Sequence, residues 1–182
     1  MSIEQRFRAA AEFRAYVELA EANKELWRVG ARRAQVDEAR VARVAALGGR
    51  WHLLALSEDW CGDAFNTLPV VARLAELAPN VELRLLGRDA NPDLMDEHLS
   101  GTARAIPVVI VYDEDWNEVG WWGSRPAALQ ALVEGEWAAF EKTERYPKIR
   151  EWYARDRGQS VVEELVGIIE RAASRTPAGH AA

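Results

Sequence analysis

The hydrophobic positions of the first 49 residues recur at helical spacing, which predicts a helical N-terminal segment. Apolar residues such as Phe7 and Val17 fall on one face of the stretch 3–28, as in one amphipathic helix or two. The pattern repeats over 36–47 and stops at a pair of glycines, which readily adopt the left-handed conformation of a helix C-cap. We therefore expect helices throughout this part of the chain.

Short apolar runs then alternate with helical spacing, which predicts a sheet flanked by helices. Residues 51–56 are almost wholly apolar, as in a strand that is buried on both faces. Helical spacing continues to residue 77 and separates this run from a second strand at 81–86. The other predicted elements are a short helix at 91–98, strands at 108–112 and 118–122 around a polar turn, and helices from 125, around 149–153 and around 161–169.

This order of elements predicts a single α/β domain with a mixed sheet. The first two strands are joined by a helical crossover and should be parallel, whereas the last two form an antiparallel hairpin. Tyr146-Pro147 is expected to break the helix that starts at 125. The expected domain covers 1–174, divided into a helical extension (1–49), a core (50–142) and C-terminal helices (143–174), with a flexible tail at 175–182.

The charge of the chain and the lengths of its apolar runs exclude some classes of binding partner. The chain has 29 acidic and 23 basic residues, a net charge of −6, and the two signs are interleaved along the helices. A nucleic-acid-binding protein would concentrate Lys and Arg on one face. No apolar run approaches the roughly 20 residues that a membrane helix needs, and the N-terminal stretch has no apolar signal segment. We expect a cytoplasmic protein that binds neither nucleic acid nor membrane.

Candidate chemistry is concentrated in the turn Trp60-Cys61-Gly62-Asp63-Ala64, which holds the single cysteine of the chain. Cys61 lies where a buried strand ends and a helix begins, and free N–H groups there favour a thiolate. Gly62 permits a tight turn, and Trp60 would shield one side of the sulfur. Because the Asp63 carboxylate opposes the thiolate, we expect an exposed and only mildly activated thiol, with Asp63 acting mainly as a helix cap. The three histidines are not spaced as metal ligands, so no metal site and no cofactor are expected.

Several segments around this turn resemble thioredoxin. Pro69 follows Cys61 by eight residues, the offset of the proline in the active-site helix of that family. The segment Asp89-Ala90-Asn91-Pro92 is similar to its D-x-N-P, and Arg104-Ala105-Ile106-Pro107 to its R-G-I-P. The chain most resembles a bacterial branch of thioredoxin-like proteins whose turn reads WCGD followed by Ala or Ser.

The resemblance implies a thioredoxin fold, which is a mixed four- to five-stranded sheet flanked by helices, here with additional N-terminal and C-terminal helices. It also implies that Pro107 is cis and faces Cys61, with Ile106 shaping an edge where an extended substrate docks. From the residues alone, Pro107 would be read as the trans first residue of a strand. Ala64 occupies the position of the second, resolving cysteine of thioredoxin, so dithiol chemistry of that kind is not expected.

Two functional hypotheses follow from a single cysteine in this setting. In the first, Cys61 forms mixed disulfides with a protein or with a low-molecular-weight thiol or disulfide, and an external thiol resolves them. In the second, the fold is a non-catalytic module that binds a partner protein, and the thiol is not used. Thiol trapping distinguishes them, because only the first hypothesis predicts covalent partners.

Overall fold

A computed structural model describes residues 1–175, and in this part of the chain helices cover a four-stranded sheet. The strands are β1 (Trp51–Ser57), β2 (Val81–Gly87), β3 (Val108–Tyr112) and β4 (Glu118–Gly123). The helices are α1 (Ile3–Ala9), α2 (Phe13–Leu19), α3 (Lys24–Arg33), α4 (Glu38–Ala45), α5 (Gly62–Leu77), α6 (Pro92–Asp96), α7 (Ala127–Glu134), α8 (Lys142–Asp156) and α9 (Gln159–Arg175).

The strand order is β2-β1-β3-β4, with β1 parallel to β2 and antiparallel to β3, and with β3 antiparallel to β4. Every residue of β1 is buried, as the unbroken apolar run predicts. The prediction of a mixed four- to five-stranded sheet flanked by helices is therefore confirmed, with four strands in residues 1–175. Since β1 is a central strand and leads directly into α5, the turn that carries Cys61 is anchored on the most buried part of the sheet.

The N-terminal segment differs from the expected one or two helices over 3–28, because it forms three. Between α1 and α2 the chain leaves the helical path, and Ala11 exchanges two backbone hydrogen bonds with Leu85 of β2, at 3.0 and 2.9 Å. This bridge occupies polar groups on the outer edge of the sheet, which would otherwise be unpaired. Asn23, with a φ of 54°, turns the chain again between α2 and α3.

The C-terminal helices also depart from the prediction, since Tyr146-Pro147 does not break a helix and instead lies inside α8. The break comes earlier, at Gly135, and α8 begins with a capping box between Glu141 and Glu144. Pro147 is therefore an interior residue of α8, where it lacks the backbone N–H that another residue would donate within the helix. Of the predicted flexible tail, Arg175 ends α9 and the other residues lie outside the described part of the chain.

The last helix completes the main core, whereas α7 and α8 form a smaller cluster of their own. α9 packs its buried residues against β4, α4 and α5. Arg43 of α4 ties this helix down through ion pairs of 2.8 Å with both Glu163 and Glu170. The buried residues of the smaller cluster are Leu129, Trp137, Ile149 and Tyr153. The α7–α8 pair thus packs around its own cluster rather than within the main core.

Candidate functional site

Cys61 is the N-cap residue of α5, at the end of the turn that follows β1. Its N–H donates to the carbonyl of Glu58 at 3.1 Å, and its own carbonyl accepts from Phe65 N–H at 3.2 Å. The thiol lies 3.3 Å from the carbonyl oxygen of Ile106, to which it donates a hydrogen bond. Residues 45 positions apart in the sequence therefore meet at the sulfur.

The expectation of an exposed, mildly activated thiol is wrong, because Cys61 is only 7% exposed. Burial raises the pKa of the Cys61 thiol, and this effect outweighs the backbone N–H groups of Ala64 and Asp63, which favour the thiolate. The Asp63 charge raises this pKa as well, and the Arg125 charge lowers it. The helix N-terminus does favour the thiolate, as predicted, but desolvation is the larger effect.

The Ile106–Pro107 peptide bond is cis, and this segment runs directly into β3 beside the sulfur. Across the hairpin, Gly123 approaches the same segment very closely. A Cβ at Gly123 would lie 2.6 Å from the carbonyl oxygen of Pro107 and 3.1 Å from the Cα of Val108. A side chain at position 123 is therefore incompatible with the present position of the backbone that carries Ile106.

We expect Gly123→Ala to lower the free energy of unfolding by about 1–3 kcal/mol, since backbone must shift to admit the methyl group. Urea denaturation measures this change. Gly62→Ala is the matched control, because a Cβ there would meet nothing closer than the Phe65 ring at 4.0 Å. An equal effect of the two substitutions would contradict the close approach as the cause.

Asp63 has partners other than the expected free N–H groups of the helix. One carboxylate oxygen accepts a hydrogen bond of 2.8 Å from the Tyr153 hydroxyl of α8, and the other forms an ion pair of 2.7 Å with Arg125. Asp63 therefore does not cap α5 as expected. It links α5 to Tyr153 of α8 and to Arg125, which precedes α7. Burial and the neighbouring Asp63 carboxylate raise the pKa of Tyr153, so its hydroxyl remains a donor.

The other residues of the predicted turn have distinct surroundings. Ala64, at the position where thioredoxin has its resolving cysteine, is completely buried. Trp60 is 51% exposed, and the Arg88 guanidinium lies 5.2 Å from the centroid of its ring. The turn therefore presents one exposed aromatic surface beside a buried thiol.

The N-terminal segment holds the turn through hydrogen bonds with Asp59. The buried indole of Trp27 in α3 donates to the carbonyl of Asp59 at 2.8 Å. The Asp59 carboxylate in turn accepts from the N–H groups of Glu21 and Ala22, at 2.7 and 2.9 Å. These bonds fix the chain two residues before Cys61 against the α2–α3 connection.

A cavity of about 860 Å³ adjoins the sulfur, and this Cys61 cavity is lined by five of the seven predicted site residues. It is lined by Trp60, Cys61, Gly62, Asp63 and Ile106, and α3 and α8 contribute to its walls. Ala64 and Pro107 lie outside the lining. Within residues 1–175 no group of three or more His, Cys, Asp or Glu side chains is placed to hold a metal ion, and no helix is long and apolar enough to cross a membrane.

Sequence reasoning missed three residues that shape this site: Trp27, Arg125 and Tyr153. Arg125 precedes a proline, which indicates only a helix start, and Trp27 fits an ordinary amphipathic helix. Tyr153 lies 90 positions after Asp63 in the sequence, and no local pattern links the two residues.

Comparison with known proteins gives a family and a fold. A thioredoxin family model matches residues 10–144. The crystal structure of a Pseudomonas aeruginosa protein of unknown function is 25% identical, with a TM-score of 0.76 over 94% of this chain and 99% of that one. An HIV epitope scaffold of known crystal structure is 24% identical, with a TM-score of 0.74 over the same shares, and shows the fold alone. A search of curated proteins found no match.

Proposed function

This chain belongs to the thioredoxin family, and we propose that it forms mixed disulfides through Cys61 with a cysteine-containing protein or a low-molecular-weight disulfide. The observation that carries this proposal is the position of the Cys61 sulfur, which lines the Cys61 cavity and lies 3.3 Å from the Ile106 carbonyl. A substrate disulfide in the cavity would approach the sulfur beside the cis Ile106–Pro107 segment.

The proposed reaction is a single thiol–disulfide exchange. Cys61 loses its proton to solvent, and the thiolate attacks one sulfur of the substrate disulfide. The new Sγ–S bond forms while the substrate S–S bond breaks, and the second substrate sulfur leaves as a thiolate that takes up a proton. Because Ala64 cannot resolve the adduct, a low-molecular-weight thiol such as glutathione or bacillithiol attacks it, leaves with the substrate sulfur as a new disulfide, and restores Cys61.

We expect this exchange to be slow at neutral pH, because burial disfavours the Cys61 thiolate. Only the thiolate is nucleophilic, and burial raises the pKa of Cys61, so the thiolate fraction near pH 7 is smaller than that of a free thiol. The fraction grows as the pH rises towards that pKa. Binding of the substrate in the cavity, rather than an activated sulfur, would then supply the selectivity of the reaction.

We expect the alkylation rate of native Cys61 by iodoacetamide to be lower at pH 7 than that of a free cysteine peptide. We also expect its pH profile to have a midpoint above that of the peptide, since the raised pKa shifts ionisation to higher pH.

Intact-mass spectrometry after incubation with a disulfide-linked peptide should show one adduct, which an added thiol releases. Cys61→Ser should form none. Absence of an adduct at pH 8.5 in the native protein would refute the proposed exchange.

A second candidate is a binding module in which Cys61 is a packing residue. The observation in its favour is the same burial of Cys61, because a free cysteine packs in protein cores as a small apolar residue. In that case Cys61→Ser would leave the capture of partner proteins unchanged, and trapping from a lysate would give no covalent partners.

A further inference from the structure

A second cavity, of about 740 Å³, continues from the Cys61 cavity along α5. Both are lined by Leu26, Phe65, Asn66 and Arg150, so the two spaces adjoin. The second cavity lies between α3 and α8, and we call it the α3–α8 groove. Its floor includes Phe65, Pro69 and Val70 of α5.

The charged side chains that line the α3–α8 groove are all positive among the described residues. Four arginines line it, namely Arg32, Arg33, Arg150 and Arg157, and no aspartate or glutamate does so among the described residues. Arg32 pairs with Glu25 at 3.1 Å, whereas the other three have no carboxylate partner within residues 1–175. This is a local excess of positive charge in a chain whose net charge is −6.

The unpaired charge reaches the Cys61 cavity through Arg150, which lines both spaces. The other three arginines of the Cys61 cavity, Arg88, Arg104 and Arg125, each pair with a carboxylate. The unpaired positive charge therefore extends from the groove to the edge of the Cys61 cavity. Such a potential would draw in and orient an anionic ligand, and an apolar floor favours one that also carries hydrophobic groups.

The combined length of the two adjoining cavities along α5 matches a short peptide segment. The α5 backbone from Gly62 to Val70 rises about 12 Å at 1.5 Å per residue. An extended chain advances about 3.3 Å per residue, so roughly four residues would span this distance. We propose that the α3–α8 groove binds an acidic segment of a partner protein, interspersed with apolar residues, and that the segment leads a cysteine of that partner to Cys61.

The acidic segment gives selectivity that the thiol itself lacks. Its carboxylates contact the unpaired arginines, and its apolar side chains lie on the α5 floor. A nucleic acid would match the charge, but the −6 net charge of the chain opposes a long polyanion that extends beyond the groove. The end of the segment at Cys61 rests on the proposed mixed-disulfide function, whereas the docking in the groove does not.

Fluorescence anisotropy with a labelled ten-residue peptide tests the docking. The peptide carries a central serine between alternating Glu and Leu residues, so that either chain direction can place acids in the groove. We expect it to bind the full-length native protein, and a peptide with Gln for every Glu to bind at least tenfold more weakly. The double variant R33Q/R150Q should lose about tenfold in affinity, as expected for two lost charge contacts.

The double variant R14Q/R73Q is the matched control, since it removes the same charge from arginines outside the groove and should change the affinity less than twofold. Equal losses in the two double variants, equal binding of the Glu and Gln peptides, or tighter binding of a ten-nucleotide single-stranded DNA would each overturn the proposed docking.

Replacing the central serine of the peptide by a disulfide-linked cysteine separates the proposed docking from the proposed mixed-disulfide exchange. An adduct without a preference for acids leaves the exchange intact and refutes the groove, whereas acid-dependent binding without an adduct supports the groove and refutes the exchange.

Discussion

Replacing Trp27 with alanine is expected to lower the free energy of unfolding by about 3–5 kcal/mol, the range for truncation of a large buried aromatic side chain. Trp27 is completely buried, and its ring lies 5.4 Å from that of Tyr16 and 6.4 Å from that of Phe65. The variant also loses the indole donor to Asp59 and leaves that carbonyl short of a partner. Because this bond fixes the chain before Cys61, the alkylation rate of Cys61 should rise as well.

Trp27→Phe separates packing from hydrogen bonding, since phenylalanine fills most of the space but has no N–H donor. We expect this variant to lose about 1–2 kcal/mol. Urea denaturation gives both values, and iodoacetamide labelling reports on the sulfur. A loss below about 1 kcal/mol in Trp27→Ala would show that α3 is not what holds the turn in place.

The second large effect concerns the ion pair between Asp63 and Arg125, whose side chains are 14% and 22% exposed. Arg125→Met should cost about 2 kcal/mol, less than the loss for a fully buried pair because solvent screens these groups in part. Asp63 would keep its bond to Tyr153 but would be left as a partly desolvated carboxylate. The double variant D63N/R125M should be more stable than the sum of the single losses implies, with a coupling of about 1 kcal/mol.

The same variants move the ionisation of Cys61 in opposite directions. The Arg125 charge lowers the pKa of this thiol and the Asp63 charge raises it. Arg125→Met should therefore shift the pH profile of alkylation upward, and Asp63→Asn should shift it downward. Tyr153→Phe keeps both charges and serves as the control for packing alone. A profile that is identical in Arg125→Met and Asp63→Asn would show that these charges do not act on the sulfur.

The two central strands were predictable because each is a short, mostly apolar run bounded by turn residues. The run 108–112 became β3 with the same bounds, and the run 51–56 became β1 with one additional residue. The helices of the N-terminal segment were harder to place, since the periodicity of 3–28 does not report where the chain is interrupted. The interruption at Ala11 is imposed by its pairing with Leu85, a contact that no local pattern encodes.

Some features of the candidate site are set by neighbouring residues and could be predicted, whereas others depend on residues that are distant in the sequence. The position of Cys61 between a buried strand and a helix could be predicted from neighbouring residues. Its burial could not, because the sulfur is enclosed by Ile106, which lies 45 positions away. Asp63 was assigned a capping role because a carboxylate in the first helical turn usually caps, and partners at Arg125 and Tyr153 outweighed that local preference.

The buried apolar residues of the α7–α8 pair form a cluster that is separate from the main core. We expect α8 to detach more readily than the sheet unfolds, because Tyr153 and Ile149 pack in the smaller cluster. A detachment of this kind removes a wall of both cavities and breaks the hydroxyl bond to Asp63. Such a detachment would expose the sulfur to solvent at a lower free energy than that of global unfolding.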